Sequence, residues 1–289
     1  MAQQVNAVSS VIGSRMLTGM GGQPSRKQAS SGSGLAAGGT SEAWNSWASL
    51  AKNDSSYSPS DSGKKRATAV TNAVIGADYR LSPMMILGLS AAFDRGDGSV
   101  TASATGTSTE GYAFAPYLGV QLGPNMAFDL SAGFGKGEAK QAGGHKAESD
   151  RQFYAANLGY AQWIGNLQLQ GKAGYLIAHE KYGNSTTNGV TNANTASKNE
   201  VEQLNLGAEV GYWMNGGIMP YLGLGYTQDT RMKTAVTDND WDKDAFTLKA
   251  GVNFFSLSSK VTGGIAYTEE SGRQNAKNAT LMGNINFRF

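Results

Sequence analysis

Thr280 to Phe289 alternate between two kinds of side chain with a period of two. Leu281, Gly283, Ile285, Phe287 and Phe289 share one face; Thr280, Met282, Asn284, Asn286 and Arg288 share the other. Successive side chains of a strand point to opposite sides of its sheet, so this spacing specifies a strand with one apolar and one wet face. The alternation returns about twelve times along the chain, in segments on the order of ten residues, the length a tilted membrane-spanning strand needs. Ala73, Ile75, Ala77 and Tyr79 oppose Asn72, Gly76, Asp78 and Arg80. Asp129 lies opposite Phe128 and Leu130, and Lys172 opposite Ala173 and Tyr175. Leu206, Ala208, Val210 and Tyr212 oppose Gly207, Glu209 and Gly211, and Leu248, Ala250, Val252 and Phe254 oppose Lys249, Gly251 and Asn253. Residues 43–50 alternate poorly.

The connections alternate too. Short ones such as Leu81-Ser-Pro83, Gly123-Pro-Asn125 and Ile164-Gly-Asn166 are followed by long polar ones, at residues 52–68, 94–109, 136–150, 179–199, 228–244 and 269–279. Bacterial outer-membrane barrels place short turns on the periplasmic side and long loops outside. A soluble sandwich would alternate as well, but its outer face is usually charged. Here the polar face is mostly Gly, Ala, Ser, Asn, Gln and Thr, and the aromatics Tyr79, Tyr112, Phe134, Tyr175, Tyr212, Tyr226 and Tyr267 gather near the ends of the apolar faces, where girdles sit in lipid. The expected fold is all-β, an antiparallel transmembrane barrel of about twelve strands.

No apolar run approaches the roughly 20 residues of a spanning helix; the longest, Met84-Met-Ile-Leu87, is broken by Gly88. There is no cysteine, which excludes disulfides and thiolate metal sites, and the net charge of +2 makes no case for nucleic acid. The amino terminus has no cationic start followed by an apolar core, so no secretory signal is read within the chain and a longer parent is expected. Val5, Val8, Ile12, Met16 and Met20 recur at helical spacing, before a flexible Ser/Gly stretch. Residues 1–41 form one expected unit and residues 42–289 the barrel.

No catalytic constellation is present, and neither an enzyme activity nor a cofactor is expected. His145 and His179 are read as solvated residues at loop edges, without a nucleophile beside them. Asp238-Asn-Asp-Trp-Asp-Lys-Asp244 begins like a calcium loop, but Lys243 replaces the needed glycine and Lys249 the bidentate glutamate. No metal site is expected.

A helical linker, about twelve alternating strands and a terminal Phe together resemble the translocator β-domain of the autotransporters, the type V secretion proteins. The stretches carrying the resemblance are Gly76-Ala-Asp-Tyr-Arg-Leu81 with Leu87-Gly-Leu-Ser-Ala-Ala-Phe93, Ala115-Pro-Tyr-Leu-Gly119 with Phe128-Asp-Leu-Ser-Ala-Gly-Phe134, and Asn284-Ile-Asn-Phe-Arg-Phe289. The resemblance implies an outer-membrane protein whose linker threads the lumen and whose passenger is exported to the cell surface. It implies that the barrel assembly machinery reads the last strand, at Ile285, Phe287 and Phe289. The implied surroundings are the lipid bilayer and its lipopolysaccharide, and the implied state is a monomer. Some members cut the linker at an Asn-Asn pair; none occurs in residues 1–42, so no such cleavage is expected.

A helix about 10–12 Å across suits a lumen of intermediate strand number. Residues 1–41 carry three basic groups and no acid, while the remainder carries 21 basic and 22 acidic residues. The candidate linker-helix residues are therefore Val8, Ile12 and Arg15, with Asp78, Asp129 and Glu209 as candidate partners for Arg15. The other candidate lumen-facing groups are Lys172, Lys249, Asn253 and Arg288. A stand-alone channel and a surface adhesin acting through its loops remain as alternative functions.

Overall fold

The computed structural model describes residue 12 and residues 43–58, 65–100, 105–214, 216–233, 242–256 and 261–289. Val8, Arg15 and most of the calcium-like segment lie outside the described residues. The first seven strands are β1 (Trp44–Tyr57), β2 (Arg66–Ser82), β3 (Met85–Val100), β4 (Thr105–Gln121), β5 (Met126–Gln141), β6 (His145–Ile164) and β7 (Leu167–Tyr182). The last five are β10 (Ser197–Tyr212), β11 (Ile218–Lys233), β12 (Asp244–Phe255), β13 (Val261–Ser271) and β14 (Ala276–Arg288). Between β7 and β10, the two-residue strands β8 (Thr186–Thr187) and β9 (Val190–Thr191) form a ribbon that pairs back onto β6. Each barrel strand pairs antiparallel with its neighbours in the chain, and β14 pairs with β1. The result is a closed twelve-stranded barrel without the free sheet edges that lipid does not tolerate.

Turn chemistry fixes the hairpins. Between β6 and β7 only Gly165 and Asn166 intervene, and Gly165 has φ +61°, the glycine-first geometry of a type II′ turn. Asn188 and Gly189, between β8 and β9, have φ +48° and +84°, as a type I′ turn requires at both central positions.

The outer face is apolar. Leu224, Ile265 and Phe246 stand 68%, 61% and 59% exposed, values that make sense only if lipid covers them. Tyr79 and Tyr212 lie toward the short-turn end of this band, and Tyr112, Phe134, Tyr175 and Tyr267 toward the other.

One expectation needs correction. The strands are longer than about ten residues: β2 has 17 and β6 has 20. Residues 94–100 and 136–141, read as loop, continue β3 and β5, and only residues 142–144 separate β5 from β6. Beyond the lipid both faces of a strand meet water, so the hydrophobic alternation fades while the backbone ladder continues. The register of β1 supplies the facing that the poor alternation of residues 43–50 leaves open. Its ladder places Trp47 opposite Gly76 and Asn286, so its indole enters the lumen, where it is 3% exposed.

Candidate functional site: the barrel lumen

Inward-pointing side chains fill one wall of the lumen more than the other. On the β1–β7 wall, Trp47 reaches over Gly76, and Tyr117 on β4 reaches over Gly88. A Cβ at Gly88 would lie 2.1 Å from the Tyr117 ring, so only glycine admits it. The two aromatics meet: Trp47 Nε1 donates to Tyr117 Oη at 2.9 Å, and Tyr117 Oη donates to Asp78 Oδ2 at 2.7 Å. Asn45 Nδ2 lies 3.4 Å from the other Asp78 oxygen. Phe153 lies over Gly133 in the same way.

Higher in the same wall, Arg151 extends from β6 across Gly137 and Gly111 to β3. Its Nη1 lies 2.6 Å from Asp94 Oδ1 and its Nε 2.7 Å from Glu180 Oε1, and Ser149 Oγ donates to the same Glu180 oxygen at 2.9 Å. All three ionic side chains are no more than 4% exposed. A buried ion pair holds together only when such hydrogen bonds satisfy its members, and it is costly to break.

The β10–β14 wall is looser around Lys249, although toward the long-loop end Arg273 Nη1 meets the buried Asp229 Oδ2 at 2.5 Å. Lys249 Nζ pairs with Glu209 Oε1 at 2.8 Å and lies 5.0 Å from the centroid of the Tyr221 ring. Both partners keep about a quarter to a third of their side-chain surface, 23% and 32%. Lys172 on β7, Asn253 on β12 and Arg288 on β14 are half-buried. Asp129 on β5 is buried and accepts from Asn157 Nδ2 at 2.8 Å. Asp78, Asp129 and Glu209, read as partners for Arg15, thus each have a partner within the wall itself.

Trp163, Trp213 and Phe255, none of them singled out in the sequence, pack together at the short-turn end of the barrel, Trp163 edge-on to Trp213 at 6.4 Å between centroids and Phe255 tilted against Trp213 at 5.2 Å. Ile285 is half-buried, whereas Phe287 and Phe289 are exposed on the outer face at the same end.

His179 corrects its reading as a loop-edge residue. It lies within β7, its Nδ1 3.7 Å from Glu200 Oε1. His145 opens β6 and faces Thr187 Oγ1 at 2.8 Å. Glu200 lies beyond the aromatic girdle, and its hydrogen bond with Lys198 draws its carboxyl below the usual range, with Lys198, Arg231 and Lys233 adding their charges against the cost of burial. Among the described residues, no three His, Cys, Asp or Glu side chains are placed to share a metal ion.

Ile12 links the amino-terminal segment to this site. It has helical backbone geometry and is 0% exposed, within the cluster formed by Trp47, Val74, Tyr117, Phe153 and Leu176.

The barrel is similar to three solved structures. The translocator domain of the autotransporter NalP from Neisseria meningitidis superposes with a TM-score of 0.72 at 10% identity, covering 86% of this chain and 89% of that one. The β-domain of the Bordetella autotransporter BrkA gives 0.68 at 15% identity, covering 86% and 100%. The transport unit of the autotransporter AIDA-I from Escherichia coli gives 0.64 at 11% identity and 99% of both chains. No curated protein matches the sequence. At these identities the structural likeness speaks for the fold, and the sequence itself supplies the family. The model of the autotransporter β-domain matches residues 46–268, so this chain belongs to the autotransporter family, as an outer-membrane translocator barrel.

Proposed function

We propose that the barrel exports an N-terminal passenger to the cell surface and anchors it there, and that the segment holding Ile12 afterwards remains in the lumen as a plug. Full burial of Ile12 among inward side chains of β1–β7 is the observation that carries the plug. In this reading residues 1–41 are the linker and residues 42–289 the barrel. Asp78, Asp129, Lys172, Glu209, Lys249, Asn253 and Arg288 face the passage, while Val8, Ile12 and Arg15 belong to the plug. The chain acts as a monomer in a bilayer with lipopolysaccharide, and the barrel assembly machinery reads Ile285, Phe287 and Phe289. It performs transport and carries no catalytic activity of its own.

Planar-bilayer conductance tests the plug. The whole chain is expected to conduct weakly, and a chain lacking residues 1–35 strongly. Ile12→Asp, which puts a charge among apolar side chains, should open the pore partly. Equal and large conductances in all three would overturn the plug and favour an open channel. Export is tested separately: an epitope placed before residue 1, behind a secretory signal, should become protease-sensitive on intact cells. Retention of the epitope inside would overturn the translocator reading.

A further inference from the structure

Above the aromatic girdle, the outer face of β7, β10 and β11 carries a concentration of positive charge that neither barrel closure nor passenger transport uses. Lys181 and Lys198 are direct cross-strand partners, a like-charge pairing that weakens a sheet. Lys233 is opposite Glu200, and Arg231 opposite Glu202. Glu200 gathers these groups: Lys198 contacts its Oε1, while Arg231 Nη2 and Lys233 Nζ approach its Oε2 at 3.4 and 3.9 Å. Arg231 Nη1 also reaches Glu202 Oε1 at 3.4 Å.

Exposure separates the two signs. The Glu200 side chain is 8% exposed and Glu202 22%, whereas Lys198, Arg231 and Lys233 are 46%, 48% and 64% exposed. The two glutamates lie beneath and the cations face outward. On the β6 side Asp150 is opposite Lys181, which leaves four cations against three acids. Tyr175 ties this patch to the membrane boundary, since its hydroxyl donates to Glu202 Oε2 at 3.1 Å. The cations therefore begin one side chain above a girdle tyrosine, at the depth of the outer leaflet's headgroups. Another outward cluster on β5 and β6 is balanced in charge: Lys140 and Lys146 share Glu138, and Glu148 beside them is 79% exposed, so two cations meet two acids.

We propose that the patch on β7, β10 and β11 binds the phosphorylated headgroup of an outer-leaflet glycolipid, its lysines and Arg231 holding phosphate while Tyr175 and the apolar band below meet the acyl chains. Ammonium and guanidinium groups make charge-assisted hydrogen bonds to phosphate, and an anionic ligand removes the repulsion between Lys181 and Lys198. The proposal rests on the outer-membrane placement of the barrel.

The test uses the full chain refolded into nanodiscs of neutral phospholipid. Binding of bisphosphorylated lipid A is compared with that of dephosphorylated lipid A. The variant Lys181→Gln/Lys198→Gln/Lys233→Gln leaves Arg231 to hold both glutamates, and Lys140→Gln/Lys146→Gln is the matched control. Wild type and control should bind the phosphorylated form about ten-fold or more tightly than the triple variant does. Dephosphorylated lipid A should bind all three alike and weakly. Equal affinity of wild type and triple variant, or an equal loss in the control, overturns the site. Complete displacement by equimolar inorganic phosphate overturns the glycolipid assignment in favour of a free-anion site. Heat-modifiable migration on gels verifies each barrel; if the triple variant fails it, Lys198→Gln alone is expected to lose part of the affinity, and no loss overturns the proposal. A wild-type chain that never inserts into the bilayer would instead defeat the translocator reading, a distinguishable failure.

Discussion

The two walls of the lumen have the same backbone and differ at mid-height, although each carries an Arg–Asp pair toward the long-loop end, Arg151–Asp94 on one and Arg273–Asp229 on the other. On the β1–β7 wall, long side chains lie over glycines of neighbouring strands and end in buried hydrogen bonds, as Tyr117 does over Gly88 and Arg151 over Gly111 and Gly137. On the β10–β14 wall the strands are shorter, 11 to 13 residues in β12–β14, and the Lys249–Glu209 pair remains partly wet. Around Ile12 the wall is dry and jointed, and around Lys249 and Glu209 it is partly wet.

This contrast predicts an ordered set of effects on unfolding by urea in lipid vesicles. The largest is expected for Arg151→Ala, which leaves Asp94 and Glu180 buried without their cation and should cost about 3–5 kcal/mol. A loss below about 1 kcal/mol would show that water enters this wall too, and the comparison would fail. Next comes Gly88→Ala, whose methyl group has no room beneath Tyr117; a loss of about 1–3 kcal/mol is expected, together with a shift in tryptophan emission as Trp47 loses its seat. Lys249→Gln, on the wet wall, should cost about 1 kcal/mol or less and do so mainly at low salt. The smallest effect is expected for Gly207→Ala, where the nearest atom to a new Cβ is the Leu224 carbonyl oxygen at 3.8 Å; stability should stay within about 0.5 kcal/mol of the parent. A loss as large as that of Gly88→Ala would mean that both walls are equally tight.

The outer face was legible in sequence because lipid imposes one rule on every strand: Leu206, Val210 and Tyr212 must all point the same way, and a period of two reports it. The inner face obeys no such rule. Gly88 and Gly137 read only as small residues suited to a narrow lumen, whereas they are berths for side chains from other strands. The Arg151 network was hidden because its partners are 57 and 29 residues away in the chain and lie within stretches that look like loops. Trp47 could not be placed by local pattern, since its face follows from the β1 register with β2 and β14.

That register has a consequence for how the molecule comes into being. β1 and β14 are joined by an unbroken ladder from Asn45–Arg288 to Tyr57–Ala276. Ser49 Oγ even donates to the Gly283 carbonyl across 234 residues. Closing the barrel therefore brings together two segments far apart in the chain, a contact with a high loop-closure entropy. A chain interrupted before residue 276 has no partner for β1 and cannot seal. The seam makes closure depend on both ends of the barrel sequence at once: without β14, one edge of β1 keeps its backbone donors and acceptors unsatisfied.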